Sequence, residues 1–380
     1  MKVVVAIDSF KGSLSSIEAG EAAKKGILKA IPKAEVVVRP LADGGEGTVE
    51  VLSLGMSGKL ENIEVTGPLG QKVTCRYGIV ESKSLAIIEM AKAAGITLIS
   101  KADRNPLHTT TYGVGEIIKD AIVKGCCHFI VGIGGSATND GGIGMLQALG
   151  YGILDKDGNQ VSFGAKGLKE IKEIRDENVI PELKECTFRI ACDVTNPLCG
   201  EFGCSAVFGP QKGADSEMID QMDQWLSDYA YLTGEKYLKA DANYPGTGAA
   251  GGLGFAFLGF TNAILESGVK IVLDETKLED YIKDADMVVT GEGRLDGQTI
   301  YGKAPMGVAK LAKKYNKPVI AFSGSVTEDA YVCNEHGIDA FFPILRKIQT
   351  LEEAMDPVNA KENMTATVEQ VFRIFKLENN

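Results

Sequence analysis

Apolar runs followed by polar, glycine-rich loops recur along this chain. The run Lys2–Ile7 is typical of a buried strand in a parallel sheet. Ser15 and Glu18 then have capping-box spacing, and an apolar stripe follows them, so a helix is predicted there. The run Val36–Arg39 predicts a second strand, and its loop leads into another helix. Two strand–loop–helix units in succession indicate a parallel α/β sheet.

The pattern changes after these units. The apolar runs Glu61–Thr66 and Gln71–Val80 flank Gly67–Gly70, which predicts a β-hairpin. Strand–helix alternation returns near Asp286 and continues to a closing helix expected at about Ala360–Phe375. A hairpin that interrupts strand–helix units suggests that a second domain begins near it.

Shorter patterns predict the remaining elements. Strands are expected at Leu85–Glu89, His128–Ile133, Phe188–Ala191, Val269–Leu273, Val319–Phe322 and Ala340–Ile344. Helices are expected at Thr111–Lys124, Ser216–Tyr231, Leu278–Ile282 and Ala304–Tyr315, and from the glycine-rich loop near Gly254 through Glu266.

These elements predict an α/β protein of two domains. Residues 1–66 and 285–380 are expected to form a discontinuous Rossmann-like or flavodoxin-like domain with a parallel sheet. Residues 67–284 are expected to form an inserted domain of mixed α/β structure. We expect the active site in the cleft between the domains, because pockets favour domain interfaces.

Composition narrows the classes of function. The chain has 380 residues, 44% hydrophobic and 24% charged, which is ordinary for a globular protein of two or three domains. Its net charge of −11 and scattered basic residues oppose a nucleic-acid or membrane partner. Asp8 comes too early for a signal peptide, and no apolar run has transmembrane length. The oligomeric state stays open, with a homodimer as one option.

Cysteine and histidine usage argues against several chemistries. The eight cysteines lack metal-ligand or disulfide-framework spacing, so reduced thiols in the cytosol are expected. The three histidines, His108, His128 and His336, lie far apart, whereas zinc and serine hydrolases need more of them or need them in motifs. His128 lies within an apolar run and is expected in the core. Phosphoryl transfer, by contrast, needs no histidine.

The stretch from Met287 to Lys303 carries the most concentrated candidate chemistry. An apolar run, Met287–Val289, is followed by three glycines that alternate with Glu292, Arg294 and Asp296. The guanidinium of Arg294 suits a carboxylate or a phosphate. The carboxylates of Glu292 and Asp296 suit a cation such as Mg2+. The alternative is a charged surface turn held by an Arg–Asp ion pair.

Comparable loops follow other predicted strands. Asp8 and Lys11 lie after the first strand and ahead of a helix, which is a natural anion site. Asp43 lies among glycines after the second strand. The loops Gly134–Gly142 and Tyr244–Gly254 could bind phosphates through backbone N–H groups. Helix caps and loop hydrogen bonds are the alternative role for each of these carboxylates.

Some glycine patterns match nucleotide motifs weakly. Gly132–Ala137 fits the dinucleotide fingerprint after a predicted strand, with Asp155 further on, so an NAD-dependent hydroxy-acid dehydrogenase stays an alternative. Gly246–Gly251 also fits but follows no strand. Gly297–Ala304 nearly matches a P-loop but has alanine where a Mg2+-binding Ser or Thr is needed, so we reject it. Lys303 could still reach a phosphate.

Taken together, the loops are more specific than any one of them. In chain order they closely resemble those of the bacterial glycerate kinase family, type I: D-S-F-K-G-S-L-S, L-A-D-G-G-E-G-T, G-G-S-A-T-N-D-G-G, C-D-V-T-N-P-L-C-G, G-P-Q-K-G-A, P-G-T-G-A-A-G-G-L-G-F and T-G-E-G-R-L-D-G-Q-T. The resemblance covers essentially the whole chain. It implies a cytoplasmic, ATP- and Mg2+-dependent kinase of D-glycerate with two α/β domains, one of them flavodoxin-like.

Members like this chain are generally associated with phosphorylation of the 2-hydroxyl group, which gives 2-phosphoglycerate. Older naming assigns the 3-phosphate, and nothing in these residues decides between the two. A non-catalytic sensor of sugar acids or nucleotides is a further alternative, and the several placed acids argue against it.

Roles for individual residues follow from these loops. Asp193 is the first candidate for the general base and Asp8 the second, because each follows a strand. Lys11 is expected on the transferring phosphate. The remaining candidates are Arg294, Asn196 and Lys212 for the substrate, Asp43, Glu292 and Asp296 for Mg2+, and Gly134, Gly135, Ser136, Gly246, Thr247, Gly248 and Gly251 for the nucleotide.

Overall fold

The structure is a computed structural model that describes residues 1–377. These residues contain thirteen strands: β1 (Lys2–Ile7), β2 (Glu35–Val38), β3 (Lys59–Thr66), β4 (Lys72–Val80), β5 (Leu85–Glu89), β6 (His128–Gly132), β7 (Gly152–Leu154), β8 (Glu173–Arg175), β9 (Thr187–Ala191), β10 (Asn262–Glu266), β11 (Met287–Leu295), β12 (Val319–Val326) and β13 (Ala340–Pro343).

The same residues contain fifteen α-helices: α1 (Ser16–Ala30), α2 (Thr48–Gly55), α3 (Ala91–Ala94), α4 (Tyr112–Val123), α5 (Ile143–Ala148), α6 (Ala165–Leu168), α7 (Cys204–Phe208), α8 (Ser216–Lys236), α9 (Ala249–Phe260), α10 (Gly268–Glu275), α11 (Leu278–Lys283), α12 (Ala304–Lys314), α13 (Val332–Glu335), α14 (Leu351–Met355) and α15 (Pro357–Leu377). Short 3-10 helices occupy Glu81–Lys83, Ile96–Leu98, Lys101–Asp103, Pro181–Glu185, Pro210–Lys212, Thr299–Tyr301 and Glu328–Tyr331.

The chain divides into two compact units. The first unit comprises Met1–Asp43, Leu54–Met56 and Val269–Asn380, and the second comprises Gly44–Ser53 and Ser57–Gly268. Each unit is therefore built from more than one segment of the chain.

The first unit contains a five-stranded, wholly parallel sheet in the order β13-β12-β11-β1-β2. Numbered within the unit alone, this order is 2-1-3-4-5, the order of flavodoxin-like sheets. The central pair is β1 with β11, in which Val3 lies opposite Met287. The strand order reverses between these two strands, so the switch point lies at their carboxyl ends.

Helices α1 and α15 pack together on one face of this sheet. Alternate residues of β1, such as Val5, share a core with Ile27 of α1 and with Val368 and Phe372 of α15. The two helices also join directly, because Thr365 Oγ1 donates to the Ala22 carbonyl at 3.0 Å. The period-2 pattern of the strands thus sends every second side chain under these helices.

The second unit contains a six-stranded sheet in the order β10-β9-β6-β5-β4-β3. Strands β10, β9, β6 and β5 are parallel, whereas β4 and β3 join as an antiparallel hairpin at the edge. A separate antiparallel pair, β7 with β8, completes the unit. The predicted α/β class, with a flavodoxin-like parallel sheet and a second, mixed sheet, is confirmed.

The predicted domain bounds of 1–66 with 285–380, and of 67–284, stay a prediction. Strand β3, which the boundary after residue 66 assigned to the first domain, pairs with β4 in the sheet of the second unit. Residues 269–284, which were assigned to the inserted domain, lie in the first unit. Both strands of the hairpin, β3 and β4, thus lie in the second unit.

Two local predictions were wrong near residues 262–275. The helix expected to continue through Glu266 ends at Phe260, and Asn262–Glu266 forms strand β10 beside β9. The strand expected at Val269–Leu273 lies within helix α10. Short apolar runs fit both the helix period of 3.6 residues and the strand period of 2, and pairing with distant parts of the chain decides which structure forms.

No helix within residues 1–377 is long and apolar enough to cross a membrane.

Candidate active site

A cavity of about 480 Å3 opens at the carboxyl ends of the strands in the first unit. Asp8 follows β1 and Glu292 lies in the last part of β11, so the cavity includes the switch point of the sheet. Ligands of open α/β sheets bind at this position because the loops on either side diverge there. The charged groups that line it, here called the charged floor, are Asp8, Lys11, Asp43, Glu292, Arg294, Asp296 and Lys303.

Asp8 is the most buried carboxylate of the charged floor, with 8% of its surface exposed. Its backbone N–H donates to the Gly291 carbonyl at 2.9 Å, which continues the β1–β11 ladder and fixes its position. Its Oδ1 accepts from the Ser9 N–H at 2.7 Å. Burial, with the neighbouring Asp43 carboxylate, raises the pKa of Asp8 to about 7. Asp8 can therefore take up or release a proton near neutral pH.

Lys11 lies in a tight loop after Asp8. The Phe10 N–H donates to the Leu14 carbonyl at 2.8 Å, and Gly12 has φ +78°, a left-handed conformation that glycine adopts without strain. This turn directs Lys11 Nζ to within 3.4 Å of Asp43 Oδ2. The Asp43 charge raises the pKa of Lys11, so the ammonium stays charged.

Strand β11 continues beyond its apolar part, contrary to the expectation of a loop after Val289. Glu292 lies opposite Ser323, and Arg294 lies opposite Ser325, in a parallel ladder with β12. The ladder extends because β12 also continues past its apolar run. As a result, alternate charged residues of β11 have the fixed positions of a strand.

Lys303 and three acidic or basic neighbours form an ion-pair network. Its Nζ lies 3.0 Å from Asp296 Oδ1 and 3.7 Å from Glu292 Oε2. Burial raises the pKa of Glu292, whose Oε1 accepts from Thr299 Oγ1 at 2.8 Å. Burial has the same tendency at Asp296, but Lys303 and Arg294 outweigh it and lower the pKa of that carboxyl group. Arg294 Nε lies 3.5 Å from Asp296 Oδ2, which is the ion pair named in the alternative interpretation of this stretch.

The cavity is also lined by apolar side chains. We call Phe10, Ile344, Leu345, Leu351 and Met355 the apolar wall. Phe10 and Ile344 are buried, whereas the other three side chains are exposed. Sequence reasoning missed this wall, because its members follow distant strands and carry no recognisable motif.

The charged floor combines the groups that phosphoryl transfer needs. It has three cations for anionic groups, a buried carboxylate that can accept a proton, and further carboxylates for a metal ion. Among residues 1–377, no group of three or more His, Cys, Asp or Glu side chains is placed to hold a metal ion. Mg2+ commonly binds through one or two carboxylates together with phosphates and water, so Asp43, Glu292 and Asp296 still fit it.

The other acid and substrate candidates belong to the second unit. Asp193 is exposed, and its Oδ1 accepts from the Gly268 N–H at 3.1 Å. Asn196 Nδ2 donates to the Phe202 carbonyl at 2.8 Å. Lys212 is buried, which lowers its pKa to about 8, and its Nζ donates to the Thr138 carbonyl at 2.7 Å. The catalytic role of Asp193 and the substrate roles of Asn196 and Lys212 stay predictions.

The loop after β6 is open in part. Gly134 and Gly135 are exposed, and an added Cβ at Gly134 would meet no atom within 4 Å. Ser136 is buried and its Oγ lies 2.9 Å from Thr138 Oγ1. The two glycines thus leave backbone accessible to an anion, whereas the serine hydroxyl has a partner within the loop.

The glycine-rich loop that leads into α9, together with the first turn of that helix, is packed inside the second unit. Gly246, Thr247, Gly248 and Gly251 are all buried. Thr247 Oγ1 lies within donating distance of the Ala242 and Tyr244 carbonyls, at 2.9 and 2.8 Å. A side chain at Gly251, where φ is +66°, would collide with the Thr138 carbonyl. Packing therefore accounts for glycine there, and nucleotide binding by this loop stays a prediction.

The dinucleotide fingerprint lacks its structural context. Helix α5 begins at Ile143, so Gly132–Ala137 does not open a helix. Asp155 lies in an exposed turn, where its Oδ1 accepts from the N–H groups of Asp157 and Asn159 at 2.9 Å. The dehydrogenase alternative thus loses its main support. Lys303, by contrast, precedes α12 and lines the cavity.

The core position predicted for His128 was wrong. Its side chain is exposed at the start of β6, and Nδ1 lies 2.8 Å from Thr187 Oγ1 on the neighbouring strand. Alternation along the strand directs the next residue, Phe129, into the core instead.

Comparisons with known proteins agree over the whole chain. Residues 3–376 match the model of the glycerate kinase family. The glycerate 2-kinase of Escherichia coli K12 is 48% identical over 97% of this chain and 98% of its own length. The glycerate kinase of Bacillus subtilis 168 is 44% identical over 99% and 98%. A crystal structure assigned to glycerate kinase 2 of Salmonella typhimurium LT2 superposes with a TM-score of 0.91 at 46% identity, covering 100% and 99% of the two chains.

Proposed function

This chain belongs to the glycerate kinase family, and on that premise we propose that it uses ATP and Mg2+ to phosphorylate the 2-hydroxyl group of D-glycerate. The products are 2-phosphoglycerate and ADP. The observation that carries the proposal is the shared cavity of Asp8, with its pKa of about 7, and the cations Lys11, Arg294 and Lys303.

Asp8 is the proposed general base. A base works best when its pKa lies near the working pH, and a fixed, partly desolvated position aims it at the substrate. The Asp8 carboxylate takes the proton of the glycerate hydroxyl as that oxygen bonds to the γ-phosphorus of ATP. The bond from this phosphorus to the bridging oxygen breaks, and the electron pair leaves with ADP. Asp193, the first candidate from the sequence, becomes the second.

The cations have separate proposed roles. Arg294 holds the carboxylate of glycerate, because its planar guanidinium can form two parallel hydrogen bonds to it. Lys11 and Lys303 neutralise the transferring phosphate. Their ion pairs with Asp43 and Asp296 keep both ammonium groups at the cavity before a ligand arrives.

A magnesium ion would be held by Asp43, Glu292 or Asp296 through one or two of these carboxylates. When bound, Mg2+ neutralises charge on the β- and γ-phosphates. Within the second unit, the exposed backbone of Gly134 and Gly135 is proposed to bind an anionic group of the nucleotide.

The 2-hydroxyl is preferred as the acceptor because it adjoins the carboxylate that Arg294 is proposed to hold. Carbon 2 is bonded directly to the carboxylate carbon, so binding of the carboxylate fixes the position of the 2-hydroxyl more closely than that of the 3-hydroxyl. The name of the E. coli relative, glycerate 2-kinase, agrees with this choice. We also propose a cytoplasmic location, in keeping with the reduced state expected for the cysteines.

The test is ADP release by the purified chain with ATP, Mg2+ and D-glycerate, followed by phosphorus NMR of the product. Coupling of the phosphorus to a single CH would identify 2-phosphoglycerate, and coupling to a CH2 group would identify the 3-phosphate instead. Release with another hydroxy acid, but not with D-glycerate, would change the substrate. Absence of release with every acceptor would contradict the proposal.

A further inference from the structure

We propose that the apolar wall of the first-unit cavity binds the base of the nucleotide, so that the phosphates lie on the charged floor. This inference rests on the proposed function, because it takes a nucleotide as the phosphoryl donor. It deepens that function by assigning the base to Leu345, Leu351 and Met355, which no sequence motif marks.

The size of the cavity favours a nucleotide. Glycerate is a three-carbon acid, whereas pockets of roughly 300–1,000 Å3 accommodate ligands many times larger. The cavity of about 480 Å3 lies within that range. It therefore has room for more than the acceptor.

The chemistry of the apolar wall also calls for a flat, apolar ligand. Leu345, Leu351 and Met355 remain 40%, 75% and 36% exposed, although they line the same cavity as the charged floor. Leu351 and Met355 are four residues apart on α14, so they share one face of that helix. Glycerate, which carries a carboxylate and two hydroxyl groups, offers little apolar surface to cover them. The faces of a heteroaromatic base would cover them and remove that surface from water.

Local hydrogen bonds hold the wall in place. Thr350 and Glu353 form a capping box at the start of α14, with the Thr350 N–H donating to Glu353 Oε2 at 2.9 Å. Asn359 Nδ2 donates to the Glu353 carbonyl at 2.9 Å. A wall fixed in this way loses little entropy when a ligand covers it.

The wall and the floor meet in the loop that carries Lys11. A Cβ atom added to Gly12 would lie only 2.7 Å from Met355 Cε, so this loop packs against the wall. If the base of a nucleotide packs on Met355, the phosphates of that nucleotide can therefore extend toward the ammonium group of Lys11. The cavity also lies at the switch point of a 2-1-3-4-5 sheet, where flavodoxin-like proteins bind their nucleotide.

The test separates the base from the phosphates. Calorimetry of the full chain with Mg2+ would give the affinities of ADP and of pyrophosphate, which lacks base and ribose. We expect the double variant Leu351→Ala, Met355→Ala to lose roughly tenfold in ADP affinity while pyrophosphate affinity stays within about twofold. Ile348→Ala is the matched control, because Ile348 is fully exposed in the same segment and does not line the cavity. Both altered side chains are exposed, and thermal unfolding checks that the variant folds.

Three results would overturn the inference. The first is equal ADP affinity in the double variant and the native chain. The second is a raised KM for D-glycerate in the double variant while its ADP affinity stays unchanged. The third is a loss of ADP affinity in Ser136→Ala but not in the double variant. Failure of the proposed function is a separate outcome. In that case the native chain would release no ADP with any acceptor, whatever the ratio of ADP to pyrophosphate affinity.

Discussion

Lys11 Nζ lies 3.4 Å from Asp43 Oδ2, which joins the loop after β1 to the loop after β2 at the edge of one cavity. Two-thirds of the Lys11 side chain is exposed, so this ion pair adds little to stability. Its position beside Asp8 gives it a different importance. The charges of Lys11 and Asp43 shift the pKa of Asp8, the proposed base, and Lys11 is also proposed to bind the transferring phosphate.

Lys11→Met should therefore damage catalysis far more than stability. Loss of one preorganised cation should lower kcat by roughly a hundredfold, while the free energy of unfolding changes by less than about 1 kcal/mol. Because Lys11 lowers the pKa of Asp8, the pH at which activity is half-maximal should rise in the variant. Steady-state kinetics across pH and urea unfolding would measure both effects. Lys24→Met is the control, because Lys24 forms a surface pair with Glu21 at 4.0 Å. Equal kinetic effects of the two variants would contradict the assignment.

Asp8→Asn should stabilise the protein at neutral and alkaline pH while it abolishes most activity. The pKa of Asp8 is raised in the folded state from 3.8 to about 7, so its contribution to stability is present below pH 4 and is lost as pH rises to about 7. The free energy of unfolding of the variant should thus rise relative to that of the native chain between pH 4 and 7, and the difference should reach roughly 2–4 kcal/mol above pH 7. Its kcat should fall by roughly 10²–10⁴-fold.

Denaturant unfolding of Asp8→Asn at pH 5, 6, 7 and 8 measures this difference. Asp284→Asn is the control, because Asp284 is exposed in the same unit. A stability difference that does not change with pH would show that Asp8 titrates normally. In the native chain, kcat/KM should rise with pH through about 7, because the base must be deprotonated.

Arg294→Lys should mainly impair use of the acid substrate. An ammonium group keeps the charge but cannot form two parallel hydrogen bonds to a carboxylate, so KM for D-glycerate should rise by roughly tenfold or more. The KM for ATP should change little. The side chain is 65% exposed, so thermal stability should be unaffected. Initial rates with each substrate varied in turn give both constants. A rise in the KM for ATP alone would indicate that Arg294 binds the nucleotide and not the acid substrate.

Gly251→Ala and Gly134→Ala should separate packing from binding in the two glycine-rich loops. The first change introduces a Cβ against the Thr138 carbonyl at φ +66°, so the free energy of unfolding should fall by about 3 kcal/mol or more. The second change meets nothing within 4 Å and should cost less than about 1 kcal/mol. Calorimetric titration with ADP then tests the nucleotide role of the stable variant. Native affinity in Gly134→Ala would remove that loop from the proposal.

Sequence patterns predicted the features that depend on near neighbours. The capping box of Ser15 and Glu18 is present, with the Glu18 N–H donating to Ser15 Oγ at 3.3 Å. The hairpin around Gly67–Gly70 and the first strand also occur as expected. These features depend on a few consecutive residues, so the local sequence is enough to predict them.

Features that depend on distant partners were not predictable in this way. Glu292 lies in a strand because β12 extends beside it, and Asn262–Glu266 is a strand because β9 offers a free edge in the second unit. Burial singles out Asp8 among the candidate bases, and burial is a property of the assembled unit. The apolar wall joins Phe10 to Met355, residues that no local pattern links.

The pairing of β1 with β11 has a consequence for how the chain is made. Val3 is synthesised before the second unit, and its partner Met287 only after it. One side of β1 must therefore stay unpaired until the second unit has been synthesised, because of its two neighbours in the sheet only β2 is made before that unit. Closing so long a loop slows the formation of these contacts. The first unit, with its cavity, should therefore complete its sheet only after the second unit has been synthesised.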